Sequence, residues 1–360
     1  MKILIIKLRT IGDVLLITPL LSNIRKQLSD ATIDVVLNKG TEDILSCNDN
    51  VDNLLLYNRG AMRSKFVLDR IISEFRFVAN IRSRGYDIVV DLDKGDRGAI
   101  ISKFSQAKIR IGNKGIKSKF LSNAYTDTLP EHKRRHTVEV NLDPLRVLKL
   151  PIENKKVTSC FDCNDERLVK EQIAHIDRFI HIHPFSRVRN KEIDMLTLSQ
   201  IIDFCENDLG VKVVITSSND KREVDNVNKI ISLCKSRPVN LGGALTLRKV
   251  SALSKFSDMF IGVDTAVMHM AAAHNIPILA FFGPTTPDIW GPWNNKIDGV
   301  VFSQYGGVQK KGKSVVFSDT RKCLPCNNSG CANSHESKCL VSLDLNKIKK
   351  CIVELLHDKN

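Results

Sequence analysis

The segment KLRTIGDVLLITPLL, residues 7–21, joins the end of one apolar run to the start of a helical pattern. The run 3–8 has the length and the continuous apolar character of a strand that is buried on both faces. Gly12 allows a tight turn, and apolar residues then recur at helical spacing over 14–28. A buried strand that leads directly into a helix predicts the first βα unit of a parallel sheet.

The same alternation of strands and helices occurs twice along the chain. In the first half the further strand-like runs are TIDVVL, VDNLLLY, YDIVVDL and AKIRIG, with helical stretches at 63–83, 97–106 and 137–149. The polar segment 151–178 is interpreted as a linker. In the second half the strand-like runs are RFIHIHP, VKVVIT, DMFIGV and, as the last strand, IPILAFFG, with helical stretches at 193–208, 220–235 and 265–274. Each half therefore predicts a doubly wound α/β sheet.

These patterns predict an N-terminal Rossmann-like domain over 1–165 and a C-terminal one over 166–342, with a cleft between them. The chain of 360 residues is long enough for two such domains, each with its own core. A final helical segment, 343–360, is a candidate to pack back on the N-terminal domain.

The composition restricts the class of partner. The net charge of +14 favours polyanions, which are nucleic acids, an anionic membrane face or phosphorylated substrates. The usual nucleic-acid-binding motifs are missing from the sequence, so we expect no nucleic acid as partner. No apolar run approaches the roughly 20 residues of a membrane span, and no secretory signal is evident, so we expect a cytoplasmic protein.

Four of the ten cysteines cluster near the C-terminus, as Cys323, Cys326, Cys331 and Cys339. Thiolates at such spacing could hold a structural metal, although the spacing is not that of the common zinc ribbons. The alternative is a set of free or paired thiols that pack a loop. The sequence leaves both interpretations open.

Asp13 has two interpretations of its own. At the start of a helix its carboxylate could simply cap backbone N–H groups. It could also be a general base at the carboxyl end of a strand, where open α/β sheets bind their ligands. Spacing alone favours the cap.

Two further loops carry polar groups at predicted strand ends. The loop HPFSRVRNKE, 183–192, brings Ser186, Arg187 and Lys191 together, and such groups could stabilise a departing diphosphate. The stretch GVDTAVMHMAAA, 262–273, opens a helix whose backbone N–H groups could hold phosphate. Neither a Walker motif nor a G-x-G-x-x-G follows a strand, which argues against a dehydrogenase or a P-loop enzyme.

Taken together, these segments resemble glycosyltransferase family 9, the ADP-heptose:lipopolysaccharide heptosyltransferases. The matching pieces are K-x-R-x-I-G-D-V, H-P-F-S-R…K, G-V-D-T-A-x-x-H-x-A-A-A and F-F-G-P-T, in the family's order. The later segments D-I-W-G-P-W and C-L-P-C…G-C…S-K-C-L look most like the branch that adds the third inner-core heptose.

The resemblance implies the GT-B fold, two facing Rossmann-like domains with a central cleft, and an inverting transfer without a metal or another cofactor. By similarity Asp13 is the catalytic base, and Lys191 stabilises the leaving diphosphate. The donor-binding residues implied by the resemblance are Ser186, Arg187, Glu223, Asp264, Thr265, Ala266 and His269. Arg9, Arg97 and the basic cluster 131–136 are candidate acceptor contacts, suggested by charge.

The implied partners are an ADP-heptose donor, a lipopolysaccharide inner-core acceptor and the cytoplasmic face of the inner membrane, touched peripherally. Two alternatives remain open on the sequence. One is another nucleotide-sugar enzyme of the same fold, with a different donor or with 2-epimerase activity. The other is a polyanion-binding protein without catalysis.

Overall fold

The computed structural model of the protein describes residues 1–58, 67–116, 118–131, 134–296, 302–341 and 343–357. The chain forms two compact units, Met1–Val157 and Thr158–Asn360. This division lies earlier than the predicted boundary at 165/166, which would cut the helix Cys163–Gln172. The helix belongs to the second unit because Val169 is fully buried in a core cluster of that unit.

The first unit is built on a parallel sheet. Its strands within the described residues are β1 (Lys2–Lys7), β2 (Thr32–Asn38), β3 (Asn53–Tyr57), β4 (Ile88–Asp91), β5 (Ile109–Gly112) and β6 (Asp127–Thr128). They lie in the order β3-β2-β1-β4-β5-β6, and each neighbouring pair is parallel. Ile5 of β1 lies opposite Val35 and Val90, so the first strand is the centre of the sheet. This is the strand order of doubly wound nucleotide-binding sheets.

Helices connect these strands: α1 (Ile11–Leu15), α2 (Thr18–Gln27), α3 (Val67–Ser83), α4 (Asp96–Ser105), α5 (Thr137–Asn141) and α6 (Asp143–Val147). The helical pattern over 14–28 is divided between α1 and α2, because Pro19 in the first turn of α2 has no N–H to continue the bonding. Pro144 divides the pattern over 137–149 in the same way. Residues 63–66 of the predicted helix 63–83 lie outside the described part of the chain.

The second unit repeats this architecture. Its strands in the described residues are β7 (Phe179–His183), β8 (Lys212–Ser217), β9 (Val239–Gly242), β10 (Met259–Val263), β11 (Ile278–Phe282), β12 (Gly307–Lys311) and β13 (Ser314–Ser318). The order is β12-β13-β11-β10-β7-β8-β9, with β12 antiparallel to β13 and the other pairs parallel. Apart from β12 at one edge, the strand order matches that of the first sheet, which confirms the predicted pair of α/β sheets.

The helices of this unit are α7 (Cys163–Gln172), α8 (Met195–Asp203), α9 (Lys221–Leu233), α10 (Leu247–Phe256), α11 (Ala266–Ala273), α12 (Pro287–Trp290) and α13 (Leu345–His357). Helix α8 continues as a short π-helix, Phe204–Asp208. No helix in the described ranges is both long enough and apolar enough to cross a bilayer.

Two sequence interpretations of this unit were wrong. The polar segment 151–178 is not only a linker, since it contains α7, whose apolar residues are too widely spaced to give a clear helical pattern. The run IPILAFFG is not the last strand, because β13 pairs with β11 and is buried along its length. No helical pattern follows β13 closely, so no βα unit was recognisable there.

The C-terminal helix α13 packs into the core of the second unit, and its predicted packing on the N-terminal domain stays a prediction. Its residues Ile348, Cys351, Ile352 and Leu355 are part of the core cluster around β7, β10 and β11. These positions recur at i, i+3, i+4 and i+7, so one face of the helix supplies all four buried side chains.

We therefore expect Ile352→Ala to lower the free energy of unfolding by about 2–5 kcal/mol, because it opens a cavity at a fully buried position. Urea unfolding monitored by circular dichroism measures the change. Glu354→Ala, at an exposed position on the same helix, is the matched control and should lower the free energy of unfolding far less. Equal losses in the two variants would contradict the packing of α13 into this core.

Candidate active site

Asp13 lies in the first turn of α1, directly after β1. Its Oδ2 accepts a hydrogen bond of 2.6 Å from the Thr10 hydroxyl and one of 3.2 Å from the Thr10 backbone N–H. Both bonds go to the same carboxylate oxygen, and the side chain is half-buried. The helix start thus orients the carboxylate, so the capping interpretation and a chemical role are compatible.

A second carboxylate lies at the end of the neighbouring strand. Asp93 follows β4 and accepts a 2.5 Å bond from the Leu8 N–H at the end of β1. Its Oδ1 lies 3.4 Å from Arg9 Nε and 3.9 Å from Lys7 Nζ. Burial raises the pKa of Asp93, the two cations and the Leu8 N–H oppose this rise, and the charge of Asp13 adds to it. Asp13 and Asp93 therefore share one electrostatic environment at this strand edge.

Beneath Asp93 a third acid, Asp91, is completely buried. Its Oδ2 accepts a 2.5 Å bond from the Tyr125 hydroxyl, and its Oδ1 accepts a 2.9 Å bond from the Asp93 N–H. Burial raises the pKa of Asp91 to about 7. A side chain at Gly98 would place a Cβ only 2.0 Å from Asp91 Oδ2, so only glycine leaves room for this carboxylate.

The predicted acceptor contacts lie in different surroundings. Arg9 is at the Asp93 carboxylate. Arg97 is the second residue of α4, where its guanidinium stacks over the ring of Tyr57 at 5.0 Å and lies 3.7 Å from Glu74. Of the basic cluster 131–136, residues 132 and 133 lie outside the described part of the chain, and Arg135 forms a bidentate ion pair with buried Asp143.

In the second unit the strand ends of β7 and β10 bring Lys191 and Asp264 together. Lys191 Nζ donates a 2.7 Å hydrogen bond to Asp264 Oδ2 and a 3.5 Å bond to its backbone oxygen. The Asp264 carboxylate is almost fully buried, and the lysine is about three-quarters buried. The sequence predicted both residues for the site without predicting this ion pair.

Helix α11 begins immediately after Asp264. Thr265 precedes its first turn, and the Thr265 hydroxyl is buried without a hydrogen-bond partner among the described residues. Ala266 opens the helix, and His269 lies one turn further, buried. A helix N-terminus presents backbone N–H groups that have no partner within the helix, and these attract anions.

The loop after β7 is held by Glu192, which the sequence analysis did not single out. Its Oε1 accepts a 3.2 Å bond from the Ser186 N–H, and Arg222 bonds both of its carboxylate oxygens at 2.9 and 3.0 Å. Arg222 also donates to the Ser186 backbone oxygen at 3.1 Å. Arg187 is exposed. Ser186 and Arg187 are thus carried on a loop that a partly buried ion pair fixes.

Glu223 has a structural task in the neighbouring loop. Its Oε2 accepts bonds from the Ser218 N–H at 2.9 Å and from the Ser218 hydroxyl at 2.7 Å. Its Oε1 lies 3.4 Å from Arg222. The residue lies at the predicted strand edge, after β8, and its predicted contact with the donor stays a prediction.

Buried histidines support this edge of the second sheet. His181 and His183, on β7, both hydrogen-bond the Thr216 hydroxyl, at 2.8 and 2.9 Å. Burial lowers the pKa of His183 to about 4 and that of His181 well below its usual range, so both rings are neutral at pH 7. A Cβ at Gly262 would approach the His183 backbone oxygen to 2.6 Å, which explains a glycine inside β10.

The four clustered cysteines lie in irregular chain after β13. Burial raises the pKa of the Cys339 thiol to about 11, and the charges of Cys331 and Cys326 add to this. Over the described ranges, no three His, Cys, Asp or Glu side chains are grouped to hold a metal ion. The cysteine segment meets the carboxyl edge of the second sheet: the Asn328 backbone oxygen accepts a 2.7 Å bond from the side chain of Asn190, next to Lys191, and the Asn327 N–H donates to the Pro284 oxygen at 2.8 Å.

The sequence was compared with models of known protein families. The model of glycosyltransferase family 9 (heptosyltransferase) matches residues 74–319, more than half of the chain. The chain belongs to glycosyltransferase family 9. The resemblance inferred from the motifs is thereby confirmed, and the family is one of glycosyltransferases.

Individual proteins to which this family 9 transferase is similar support the same family assignment. It is 31% identical to "Lipopolysaccharide heptosyltransferase 3" of Escherichia coli over 293 residues, which cover 79% of this chain and 84% of that protein. A solved family 9 glycosyltransferase of Veillonella parvula superposes with a TM-score of 0.83 at 20% identity, over 99% of this chain and 98% of that one. The E. coli heptosyltransferase WaaC with ADP gives 0.72 at 16% identity, over 99% and 100%.

The likeness to these structures shows the fold, and it confirms the predicted GT-B class. The family match extends from α3 to the end of β13, so it includes Lys191, Asp264 and the start of α11. Asp13 lies before the matched range. The roles assigned to single residues therefore stay predictions.

The buried acid Asp91 generates a prediction about pH. Its folded pKa of about 7 is above the ordinary value of 3.8, so the folded state binds the proton more tightly than the unfolded state. Between about pH 4 and pH 7 this group therefore makes the protein less stable as the pH rises. Asp91→Asn removes the titration and should make the slope of unfolding free energy against pH more positive, by at most about 1.4 kcal/mol per pH unit.

Urea unfolding at pH 5, 6, 7 and 8 measures this slope. Asp49→Asn, at an exposed acid of the same unit, is the matched control and should leave the slope as in the wild type. A parallel pH profile for Asp91→Asn and the wild type would contradict the raised pKa.

Proposed function

We propose that this family 9 enzyme transfers heptose from ADP-L-glycero-D-manno-heptose to the inner core of lipopolysaccharide, with inversion at the anomeric carbon. Asp13 acts as the general base, the second unit binds the donor, and no metal takes part. The observation that carries the proposal is the Lys191–Asp264 pair at the start of α11. The pair lies beside the N–H groups of the first turn of α11, so a cation, a carboxylate and helix N–H groups meet at one strand edge.

This arrangement suits a sugar diphosphate. The departing ADP gains negative charge, which the Lys191 ammonium and the N–H groups of Ala266 and the following residues can stabilise. The carboxylate of Asp264 can accept hydrogen bonds from sugar hydroxyls, and the buried hydroxyl of Thr265 is available to a ligand. Because protein groups supply the positive charge, the proposal needs no divalent ion. The solved WaaC complexes contain ADP and ADP-2-deoxy-2-fluoro heptose, which supports the same donor here.

The chemistry at the acceptor requires a base. In the proposal Asp13 takes the proton from the acceptor hydroxyl while that oxygen attacks the anomeric carbon, on the face opposite the departing diphosphate. Thr10 bonds only Oδ2 in the observed contacts, so we assign proton transfer to Oδ1. Asp93 keeps Arg9 close to this edge, where its half-exposed guanidinium can bind anionic groups of the acceptor, while Lys7 beside it is buried.

The proposed class of acceptor follows from the net charge of the chain and from the name of a similar protein. One similar protein is called a lipopolysaccharide heptosyltransferase, and the net charge of +14 suits a phosphorylated core. Arg9 and Arg97 remain the candidate acceptor contacts in the proposal. Identification of the reaction product shows which core heptose accepts the sugar.

Asp13→Asn tests the base. The amide oxygen can still accept the bonds from Thr10, so the variant should fold and bind ADP as the wild type does. Loss of the base should lower kcat by about 10²–10⁴-fold. The assay follows heptose transfer to core lipopolysaccharide from cells that lack the protein, by mass spectrometry, and calorimetry measures ADP binding.

Asp49→Asn serves again as an exposed control. UDP-GlcNAc is run beside ADP-heptose, and only the true donor should raise the melting temperature. A fully active Asp13→Asn variant would refute the assignment of the base, and a thermal shift with UDP-GlcNAc alone would refute the donor.

Lys191→Met tests the cation at the diphosphate. A charge-assisted hydrogen bond contributes about 1.5–3 kcal/mol, so ADP should bind roughly 10–100-fold more weakly. The decrease in kcat should exceed that in affinity, because the charge on the phosphate grows as the bond breaks. Calorimetry and steady-state kinetics, each with and without EDTA, measure both quantities.

Arg189→Met is the matched control, since Arg189 is an exposed cation in the same turn as Lys191. It should leave ADP affinity within about twofold of the wild type. Equal effects of the two substitutions, or a rate abolished by EDTA, would count against the proposed role of Lys191 and against the metal-free transfer.

A further inference from the structure

Helix α3 is apolar on its solvent side as well as on its core side. Its inner face packs through Phe77, whose ring meets Tyr57 edge-on at 5.2 Å, and through fully buried Ile81. Its outer face exposes Leu68, Ile71, Ile72 and Phe75, with Leu68 and Phe75 more than 70% exposed. A helix of a soluble domain normally places polar residues on the solvent side.

These four residues form one continuous stripe. They occupy positions i, i+3, i+4 and i+7, which lie above one another on a helix. We call them the α3 stripe. Val67 beside them is also exposed, so five of the sixteen large apolar side chains exposed in the described residues lie within nine consecutive positions. Such clustering is typical of an interaction surface, whereas single exposed apolar residues need no explanation.

Positive charge accompanies the stripe. Arg76 and Arg82 lie on the exposed side of α3 toward its C-terminal end, and both are exposed. Of the acids of the helix, Glu74 is bonded by Tyr57 and lies close to Arg97. Asp69 precedes Arg76 by seven residues and therefore lies on the same flank of the stripe as Arg76, whereas Arg82 follows Phe75 by seven residues and continues the line of the stripe. The chain as a whole carries +14.

The α3 stripe also lies close to the carboxyl edge of the first sheet. Helix α3 follows β3, and the exposed residues are in its first turns. In a parallel sheet the helix after a strand starts at the carboxyl edge of the sheet, which is the edge that carries Asp13 after β1. An acceptor delivered from this side would reach the edge where we place the base.

We propose that the α3 stripe inserts into the headgroup region of an anionic lipid bilayer, and that Arg76 and Arg82 bind its phosphates. This inference rests on the proposed function, since a lipid-anchored acceptor requires an enzyme at the membrane surface. Interfacial helices combine these features, an apolar face that enters the bilayer boundary and basic residues at its border.

A second copy of the chain fits the α3 stripe less well than a lipid bilayer does. The four side chains expose on the order of 400 Å² of apolar surface, about half of the roughly 800 Å² that each partner buries in a stable complex. A bilayer needs no complementary partner surface, and it offers the negative charge that the arginines fit. Dimerisation through the stripe is therefore an outcome of the test that would overturn the proposal.

The test is co-sedimentation of the full chain with vesicles of phosphatidylethanolamine and phosphatidylglycerol, and with vesicles of phosphatidylcholine alone. The wild type should bind the anionic vesicles and bind the neutral ones much more weakly. Leu68→Ser combined with Phe75→Ser should reduce binding by about tenfold or more, because the inserted apolar area is lost. The matched control, Leu196→Ser with Tyr305→Ser, changes two residues of similar exposure in the second unit and should bind as the wild type does.

A second variant, Arg76→Glu with Arg82→Glu, leaves the apolar stripe intact and should reduce binding to anionic vesicles at low salt. Circular dichroism and transfer of heptose to a water-soluble, delipidated core confirm that each variant is folded. Three results would overturn the proposal: no binding of the wild type to anionic vesicles, equal binding to both lipid mixtures, or equal binding of the wild type and the stripe variant. Light scattering that shows a dimer in the wild type and a monomer in the stripe variant would overturn it too.

The transfer assay keeps this inference separate from the proposed function. A chain that binds vesicles through the stripe and transfers no heptose refutes the enzyme proposal alone. If the chain transfers heptose to the soluble core but does not bind vesicles, only the proposal that the α3 stripe binds a membrane is refuted.

Discussion

The parallel pairing of strands is the constraint on which the candidate site depends. In a parallel sheet all carboxyl ends meet at one edge, so residues far apart in sequence become neighbours there. The pairing of β1 with β4 brings Asp93 within hydrogen-bonding distance of Leu8. The pairing of β7 with β10 brings Lys191 to Asp264 in the same way. Without these pairings, neither group of charges would exist.

The two edges are built from the same strand order, and each combines carboxylates with cations, but the proposal uses a different group from each. The first edge gathers carboxylates, Asp13, Asp91 and Asp93, two of which are buried deeply enough for their pKa to rise. The second edge gathers a lysine and a helix N-terminus. Carboxylates suit the removal of a proton, and cations with N–H groups suit a growing negative charge. One architecture thus supplies both kinds of group that the proposed transfer needs.

Local patterns in the sequence predicted the strands that are buried on both faces, such as β1, because parallel strands show as continuous apolar runs. They failed for α7, whose apolar residues are sparse, and for β13, which no helical pattern follows closely. Lys191 could be named as a candidate because it lies in a strand-to-helix loop. For Asp13, in the first turn of α1, spacing alone favoured a cap, and only the family resemblance indicated a base. Asp93 and Glu192 were missed, since their importance comes from burial and from partners such as Leu8 and Arg222 that a linear pattern does not reveal.

Helix α3 shows a different limit of sequence reasoning. Its apolar residues predicted a helix correctly, but the usual assumption sends an apolar face to the core. Here Phe77 and Ile81 already fill the core side, so the additional apolar residues must face outward. Only the structure separates the two faces, because burial is a property of the whole unit. An apolar surface that the fold does not need, retained beside two exposed arginines, is difficult to explain by folding stability, and contact with a lipid surface gives it a physical purpose.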